Sequence, residues 1–379
     1  MILSHNNPYK YNLPLRTMAN ILGEKERVAG NEVDRELEEL LKKQGARIKV
    51  VGCGGGGGNS VSRMKETGIK GCEIIAINTD AQDLLYSNAD SKILIGRELT
   101  HGLGAGSNPK IGEQAAKESE TEIKKKIGDC DMVFITCGLG GGTGTGAAPV
   151  VSEIAKKQGA LTIGIVTLPF TVEGQKRIEN AQYGLEKMVS VCDTLIVIPN
   201  DKLLEIAPDL PIHTAFKVAD EILTNSVKGI TELVTKAGLV NLDFADVKAV
   251  MSNGGVSLIG IGESDSKDRA RDAVEKAINN PLLDVDITSA SGALVNIIGG
   301  PDMSLDEYRL IMEVLGGKIS PDAKIISGAQ ISPDMDTSIK VLLIVTGVKS
   351  SQILGSSTVL SGKEQKELEQ ELGIDFLEE

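Results

Sequence analysis

The sequence predicts an α/β protein: a parallel sheet covered by helices on both faces, one long central helix, and a second, smaller α/β unit. Three observations carry that expectation. Between Arg47 and Pro199, short apolar runs alternate with helix-like segments. From Pro211 to Lys236 an apolar spacing of three to four residues is sustained. The length of 379 residues exceeds the size at which one hydrophobic core usually keeps growing, so two globular units plus tails are expected.

The elements follow in order. Residues 1–46 read as an N-terminal extension: a polar Asn/Pro/Tyr stretch, then a helical pattern from about Asn31 with Val33, Leu37, Leu40 and Leu41 on one face and a stop at Gly45. Residues 47–211 carry the runs RIKVV, EIIAIN, DMVFITC, LTIGIV and TLIVIP, each followed by a helix-like segment. Continuous apolar strands separated by helices imply a parallel sheet, because each right-handed crossover lays its helix over a face of the sheet. Residues 212–236 form the central helix, expected to bury Phe216, Ala219, Ile222, Leu223, Val227, Ile230, Leu233 and Val234 along one side. Residues 237–349 hold strand-like VSLIGIG, GALVNIIG, AKIISGAQI and SIKVLLIVTGV, with helices from about Ser266 and from Ser304. Residues 350–379 are a polar linker and an acidic segment ending in the apolar cluster Leu372, Ile374, Phe376 and Leu377.

Composition narrows the function classes. Hydrophobic content of 41% with 25% charged residues is that of an ordinary globular chain. The formal charge of -13, without a long Lys/Arg cluster to offset it, repels nucleic-acid phosphate and anionic membrane alike. An aromatic content of 3% without tryptophan leaves little material for base-stacking platforms. No apolar run approaches the roughly 18 residues of a membrane span, and the start MILSHNNPYKYNLPL lacks an uninterrupted apolar core, so a cytoplasmic protein without direct membrane insertion is expected. Cys53, Cys72, Cys130, Cys137 and Cys192 show no CxxC spacing and read as reduced, mostly buried thiols.

The 43 glycines concentrate the chemistry. GCGGGGGNS, from Gly52, follows a strand and precedes a helix, where backbone N–H groups can hold a phosphate and a Cβ would bar its approach. Gly52, Gly54 and Gly57 also satisfy GxGxxG, with Asp80 at the end of the next strand, so this loop alone equally suits a nicotinamide or flavin enzyme. CGLGGGTGTGAAP, from Cys137, repeats the strand-to-helix setting, with Thr143 and Thr145 able to donate to phosphate and Pro149 expected near the helix start. GLGAGSNPK, from Gly102, ends with Asn108 as an N-cap and Pro109 at the first helical position. Three such loops on one sheet edge imply a polyphosphate. No GxxxxGK[ST] pattern is present, so charge compensation is expected from Mg²⁺ instead of a P-loop lysine.

GGGTGTG, from Gly140 to Gly146, resembles the signature of the tubulin/FtsZ family. GGGGGN at Gly54, NTDAQ at Asn78, GLGAGSNP at Gly102, PFTVEGQKR at Pro169 and NLDFADV at Asn241 resemble the FtsZ branch in order and approximate spacing, from about Arg47 to Val348. The resemblance implies a Rossmann-like GTPase domain followed by a smaller α/β domain, and a filament-forming GTPase of the cell-division ring that binds GTP or GDP with Mg²⁺, K⁺ being the expected monovalent ion. It places Gly55, Gly56, Gly57, Gly58 and Asn59 at the phosphates, with Gly142, Thr143 and Gly144 cradling the chain from the second loop. Asn78, Asp80, Ala105 and Gly106 would line the site nearby, Glu173 and Arg177 contact ribose, and Asn200 and Asp220 read guanine.

By itself NLDFADV reads as the capped start of a short helix, with Asp243 and Asp246 near its N-terminus. The resemblance implies more: Asn241, Asp243 and Asp246 would enter the nucleotide site of the next subunit and polarise the attacking water. It also implies head-to-tail homopolymers and a tail, near Leu372, Ile374, Phe376 and Leu377, that docks on a membrane-tethering or division-regulating partner at the division site. Two other readings remain at this point. A dinucleotide-dependent oxidoreductase leaves the extra glycine loops without a task and finds no catalytic motif at His5, His101 or His213; a non-hydrolysing scaffold leaves the two acids unexplained.

Overall fold

The computed structural model describes residues 46–206, 211–235, 238–240, 242–283 and 287–348. All of these belong to a compact unit running from Ala46 onward. The helix expected around Asn31, Asn241 and the tail cluster lie outside the described residues.

Strands β1 (Ile48–Cys53), β2 (Cys72–Asn78), β3 (Ser91–Leu94), β4 (Met132–Gly138), β5 (Leu161–Leu168) and β6 (Thr194–Pro199) pair in parallel in the order β3-β2-β1-β4-β5-β6. The parallel half is therefore as expected, with one strand more: β3, only SKIL, is too short to announce itself as a run. β7 (Gly255–Ser264), β8 (Gly292–Gly299), β9 (Lys324–Ile331) and β10 (Ile339–Thr346) continue the same sheet in the order β7-β10-β8-β9. β10 runs antiparallel to β7 and β8, while β8 and β9 are parallel. The two stretches are joined by a short parallel pairing of β6 with β7, from Thr194 opposite Gly255 to Ile196 opposite Ser257.

The helices, in chain order, are α1 (Gly54–Glu66), α2 (Ala81–Tyr86), α3 (Arg97–Thr100), α4 (Pro109–Glu118), α5 (Glu120–Ile127), α6 (Thr143–Lys157), α7 (Gln175–Val191), α8 (Asn200–Ile206), α9 (Ile212–Thr235), α10 (Phe244–Met251), α11 (Arg269–Ile278) and α12 (Leu305–Gly316). They cover both faces. Val51, Ile75, Val133 and Ile135 bury into a core shared with α4 to α7, which extends to α11 and α12. Their sequence neighbours Val50, Ile74, Ala76 and Phe134 bury into the opposite core with α1, α9 and α10. Successive strand side chains point to opposite faces, so a sheet covered on both needs apolar residues throughout.

The long helix α9 runs over the face of the sheet that also packs α1 and α10. Its first half carries Ala219, Ile222 and Leu223 into the core; at its far end the Thr235 side chain lies against Gly71, just ahead of β2, where a Cβ would meet it at 3.0 Å. From Phe216 to Thr235 the helix rises about 28 Å.

Candidate functional site

The strand order reverses between the neighbours β1 and β4. The helices leaving these two strands pass over opposite faces, which leaves a crevice beyond their carboxyl ends. Both main glycine segments sit there. α1 starts at Gly54, directly after β1, so the first glycine stretch is the opening of the helix itself and not a loop in front of it. α6 starts at Thr143, shortly after β4. A cavity of about 440 Å³ opens between them.

Neither helix start is capped by a side chain, and neither has an acidic residue in its first turn. Elsewhere Asp80 caps α2, Asn108 caps α4, Asp243 caps α10 and Ser304 caps α12, while α3, α5, α7 and α11 also begin without a side-chain cap; what sets α1 and α6 apart is that their bare starts open on one cavity. Free N–H groups and the positive end of the helix dipole therefore meet in one place from two directions, which is a setting for a polyphosphate. Glycine makes the approach possible. A Cβ on Gly54, whose φ is +71°, would stand 2.6 Å from the amide nitrogen of Gly144, and one on Gly144 would stand 3.0 Å from the carbonyl oxygen of Cys53.

Gly55, Gly56, Asn59, Gly142, Thr143 and Gly144 line the glycine end of this cavity. Gly57 and Gly58 do not. A Cβ on Gly57 would meet the Thr136 carbonyl oxygen at 2.5 Å, and one on Gly58 the Ser87 hydroxyl at 3.0 Å, so both serve close packing of α1. Asn78 and Asp80 also stand outside it: Asn78 donates to Asp83 at 2.6 Å, and Asp80 caps α2 by accepting from the Gln82 and Asp83 amides at 2.9 and 3.0 Å. Ala105 is buried behind Gly142, where a Cβ would meet the Ala105 methyl at 2.9 Å, and Gly106 faces open space. Thr145, expected to donate to phosphate, is fully buried, and its hydroxyl accepts from the Gly140 amide at 2.9 Å. Pro149 lies inside α6, past its first turn, where it leaves the Thr145 carbonyl without a helical donor.

The other walls carry Glu173, Arg177, Asn200 and Asp220. Glu173 accepts from the Phe170 amide at 2.8 Å and forms an ion pair with Arg177 at the cavity rim. Asn200 is 4% exposed, and its side-chain carbonyl oxygen has no partner. Asp220 accepts from the Ser60 hydroxyl at 2.6 Å, and burial pushes its carboxyl above the usual range against that bond and the nearby Arg63. An unmatched acceptor and a desolvated carboxylate in one pocket call for a ligand with adjacent N–H donors.

Asp243 and Asp246 are not brought to this cavity. Asp243 is exposed and accepts from the Asp246 amide at 2.8 Å as the cap of α10. Their segment follows the end of α9 away from the cavity, and α10 closes against the amino-terminal end of β6, where the Thr194 hydroxyl donates to the Met251 carbonyl. Asn200, at the carboxyl end of that strand, is in the cavity.

Comparisons with known proteins agree with this arrangement. Residues 47–208 match the GTPase domain of the tubulin/FtsZ family, and residues 255–349 match the FtsZ family C-terminal domain. The chain is 62% identical over 320 residues to cell division protein FtsZ 1 of Thermococcus kodakarensis, covering 84% of this chain and 86% of that protein. The chain belongs to the FtsZ family. The FtsZ 1 protein of Archaeoglobus fulgidus is 54% identical over 356 residues, covering 93% of this chain and 95% of its own length. An empty FtsZ dimer structure from M. jannaschii superposes with a TM-score of 0.81 at 56% identity, over 88% of this chain and 99% of that one.

Three residues of this FtsZ-family site escaped the sequence reading. Phe216, assigned to the buried face of α9, is 41% exposed and lines the cavity, its ring meeting Phe170 edge-on at 5.3 Å. The apolar period was visible, but not that the sheet ends beneath this turn of the helix. Thr79, inside the NTDAQ motif but given no role there, brings its hydroxyl to 2.6 Å from that of Thr143, and Asn180, which has no sequence signal of its own, reaches two glycine loops at once.

Proposed function

We propose that this chain is an assembly-dependent GTPase of cell division, which binds GTP between α1 and α6 and hydrolyses it when a second copy supplies Asp243 and Asp246. Copies would then join head to tail into filaments that form the ring at the division site. The observation that carries this reading is the separation of the two halves of the chemistry: the cavity lies at one end of α9, and exposed Asp243 and half-buried Asp246 follow its other end. The names of the relatives, cell division protein FtsZ, support the cellular role.

The phosphates would lie between the bare starts of α1 and α6, against Gly55, Gly56, Gly142, Thr143 and Gly144. Ribose would meet Glu173 and Arg177. Guanine would offer its N1–H and 2-amino group to Asp220, an arrangement that adenine cannot reproduce, with Asn200 beside it and Phe216 as a stacking surface. A divalent cation fits as a rider on the phosphates, because the cavity's own groups near them are N–H donors and the Thr143 hydroxyl; Mg²⁺ there would supply charge compensation. K⁺ is the proposed monovalent ion. Asp243 and Asp246 of the next copy would orient a water for in-line attack and accept its proton. Among the described residues no helix is long and apolar enough to cross a membrane. Attachment is therefore proposed through the tail around Leu372, Ile374, Phe376 and Leu377; removing residues 373–379 should spare GTP turnover and polymerisation and abolish recruitment, and loss of polymerisation would count against it.

Phosphate release per chain against protein concentration tests the main proposal. With GTP and Mg²⁺ the rate per chain should be negligible at low concentration and rise above a threshold, with ATP inactive throughout. A rate per chain independent of concentration would mean that the site is complete in one copy.

A further inference from the structure

Asp201 follows Asn200 in the first turn of α8 and does not itself line the cavity. Its two carboxylate oxygens share the Thr171 amide at 3.0 and 3.2 Å, and one of them also accepts from the Thr171 hydroxyl. A carboxylate that takes both donors of one residue makes charge-assisted bonds and fixes that residue in two directions.

Thr171 opens the single 3₁₀ turn Thr171–Glu173 between β5 and α7. The turn ends on Glu173, which lines the cavity with its ion-pair partner Arg177. Phe170, buried just ahead of the turn, packs its ring edge-on against that of Phe216. Little else fastens this segment. Thr171 and Val172 are exposed, and Gly174, behind the turn, has a φ of +98° with nothing within 4 Å of its Cβ position. Among the described residues, the other hydrogen bonds of 170–174 stay within 170–178. The tie to Asp201 therefore sets the distance between this turn and Asn200, that is, between the wall that carries Glu173 and the wall that faces the base.

We propose, resting on the GTP reading of the cavity, that Asp201 is a positioning residue for recognition of the ribose. It holds the Thr171 turn in register with Asn200, so that Glu173 and Arg177 meet the ribose hydroxyls while Asn200 and Asp220 hold the base. Without the tie the turn swings on Gly174, whose backbone has the freedom to let it, and Glu173 withdraws from the sugar. A nucleotide with ribose hydroxyls then loses contacts that one without them never makes.

The test uses the full chain in Mg²⁺ and measures affinity for GTP, for 2′,3′-dideoxy-GTP, and for inosine triphosphate, which lacks the 2-amino group of guanine. The wild type should prefer GTP to its dideoxy analogue by about tenfold, since the analogue forfeits hydrogen bonds to charged groups. Asp201→Ala should weaken GTP about tenfold and the dideoxy analogue less than about twofold, closing that preference. Its preference for GTP over inosine triphosphate should stay that of the wild type, because both carry ribose and the base wall is untouched. Thr171→Pro removes both donors at an exposed position and leaves Asp201 in place. Phe170 before it is already extended, and the first position of a helical turn accepts proline. This variant should reproduce the selective loss, and it carries the test if Asp201→Ala does not fold. Thr171→Ser keeps both donors and should match the wild type within about twofold. Equal losses for GTP and the dideoxy analogue, a lost preference over inosine triphosphate, or unchanged GTP affinity in Thr171→Pro would overturn the role of Asp201. A wild type indifferent to the ribose hydroxyls would overturn the assignment of Glu173 and Arg177 to the sugar, and one that bound no guanine nucleotide would overturn the cavity reading beneath both.

Discussion

The helix starts at the cavity and the helix start at Asp243 are opposites. α1 and α6 begin without a capping side chain and without an acid in the first turn, whereas α10 begins with Asp243 accepting the Asp246 amide. A missing cap costs about 1 kcal/mol of stability. Bearing that cost twice, at two helices that face each other, is reasonable where an external anion completes both. The capped start needs nothing further from its own chain, yet its carboxylate is exposed, with no group of the cavity near it. On the proposed reading one region would be a binding site without a catalyst and the other a catalyst without a substrate, two half-sites for a second copy to join.

The largest effect expected is at Asp243. Asparagine caps a helix about as well as aspartate, so Asp243→Asn should leave α10 and the melting temperature nearly unchanged. It removes the proton acceptor, and GTP turnover in the assembled state should fall about a thousandfold with GTP affinity intact. Turnover that survived would remove the acid from the mechanism and leave the exposed segment a structural cap.

A second experiment sharpens what the glycines do within the second loop. A Cβ on Gly146 would stand 1.9 Å from the Pro109 carbonyl oxygen and 2.6 Å from the Glu113 amide, so α4 and α6 touch backbone to backbone there. Gly146→Ala should destabilise the nucleotide-free chain by about 3 kcal/mol in chemical denaturation. Gly141 has nothing within 4 Å of its Cβ position and lines the cavity, so Gly141→Ala should leave stability within about 0.5 kcal/mol. Any change in its GTP affinity would then report the ligand alone. Comparable destabilisation by both would mean that the loop is a rigid unit and not a packed half beside an open one.

That contrast also marks what was legible in the sequence. The apolar runs announced nine of the ten strands among the described residues, because burial on both faces demands uninterrupted apolar residues; β3, a four-residue strand at the sheet edge, offers too little. The caps at Asn108 and Asp243 were readable from local chemistry, as was a helix starting at Ser304. What could not be read is which glycines face a ligand and which face backbone. Gly57 and Gly58 continue the same run as Gly55 and Gly56, and only the position of β4 and α2 separates them. Asp220 and Asn200 likewise carry no local signal: one is a helix carboxylate, the other follows a strand, and their convergence is a property of the sheet edge.

The smallest effect expected concerns Asp220, and it has two signs. Burial raises the pKa of this carboxyl above its usual value, with Ser60 and Arg63 opposing the shift. A carboxyl whose pKa is higher in the folded than in the unfolded chain contributes stability below its unfolded pKa and loses that contribution as pH rises through the folded value. At neutral pH the ionised, desolvated group therefore weighs against the empty fold, and Asp220→Asn should raise the melting temperature of the nucleotide-free chain slightly. The gain should shrink as pH falls below the ordinary carboxylate range. GTP affinity should move the other way, falling roughly 10- to 100-fold, because an amide accepts from only one of two adjacent guanine donors and turns its own donor toward the other. Melting curves of both proteins across pH, with and without GTP, separate the two effects. A variant less stable than the wild type at neutral pH would show that the carboxylate's bond to Ser60 supports the fold, and that the strain held at this wall is not reserved for the base.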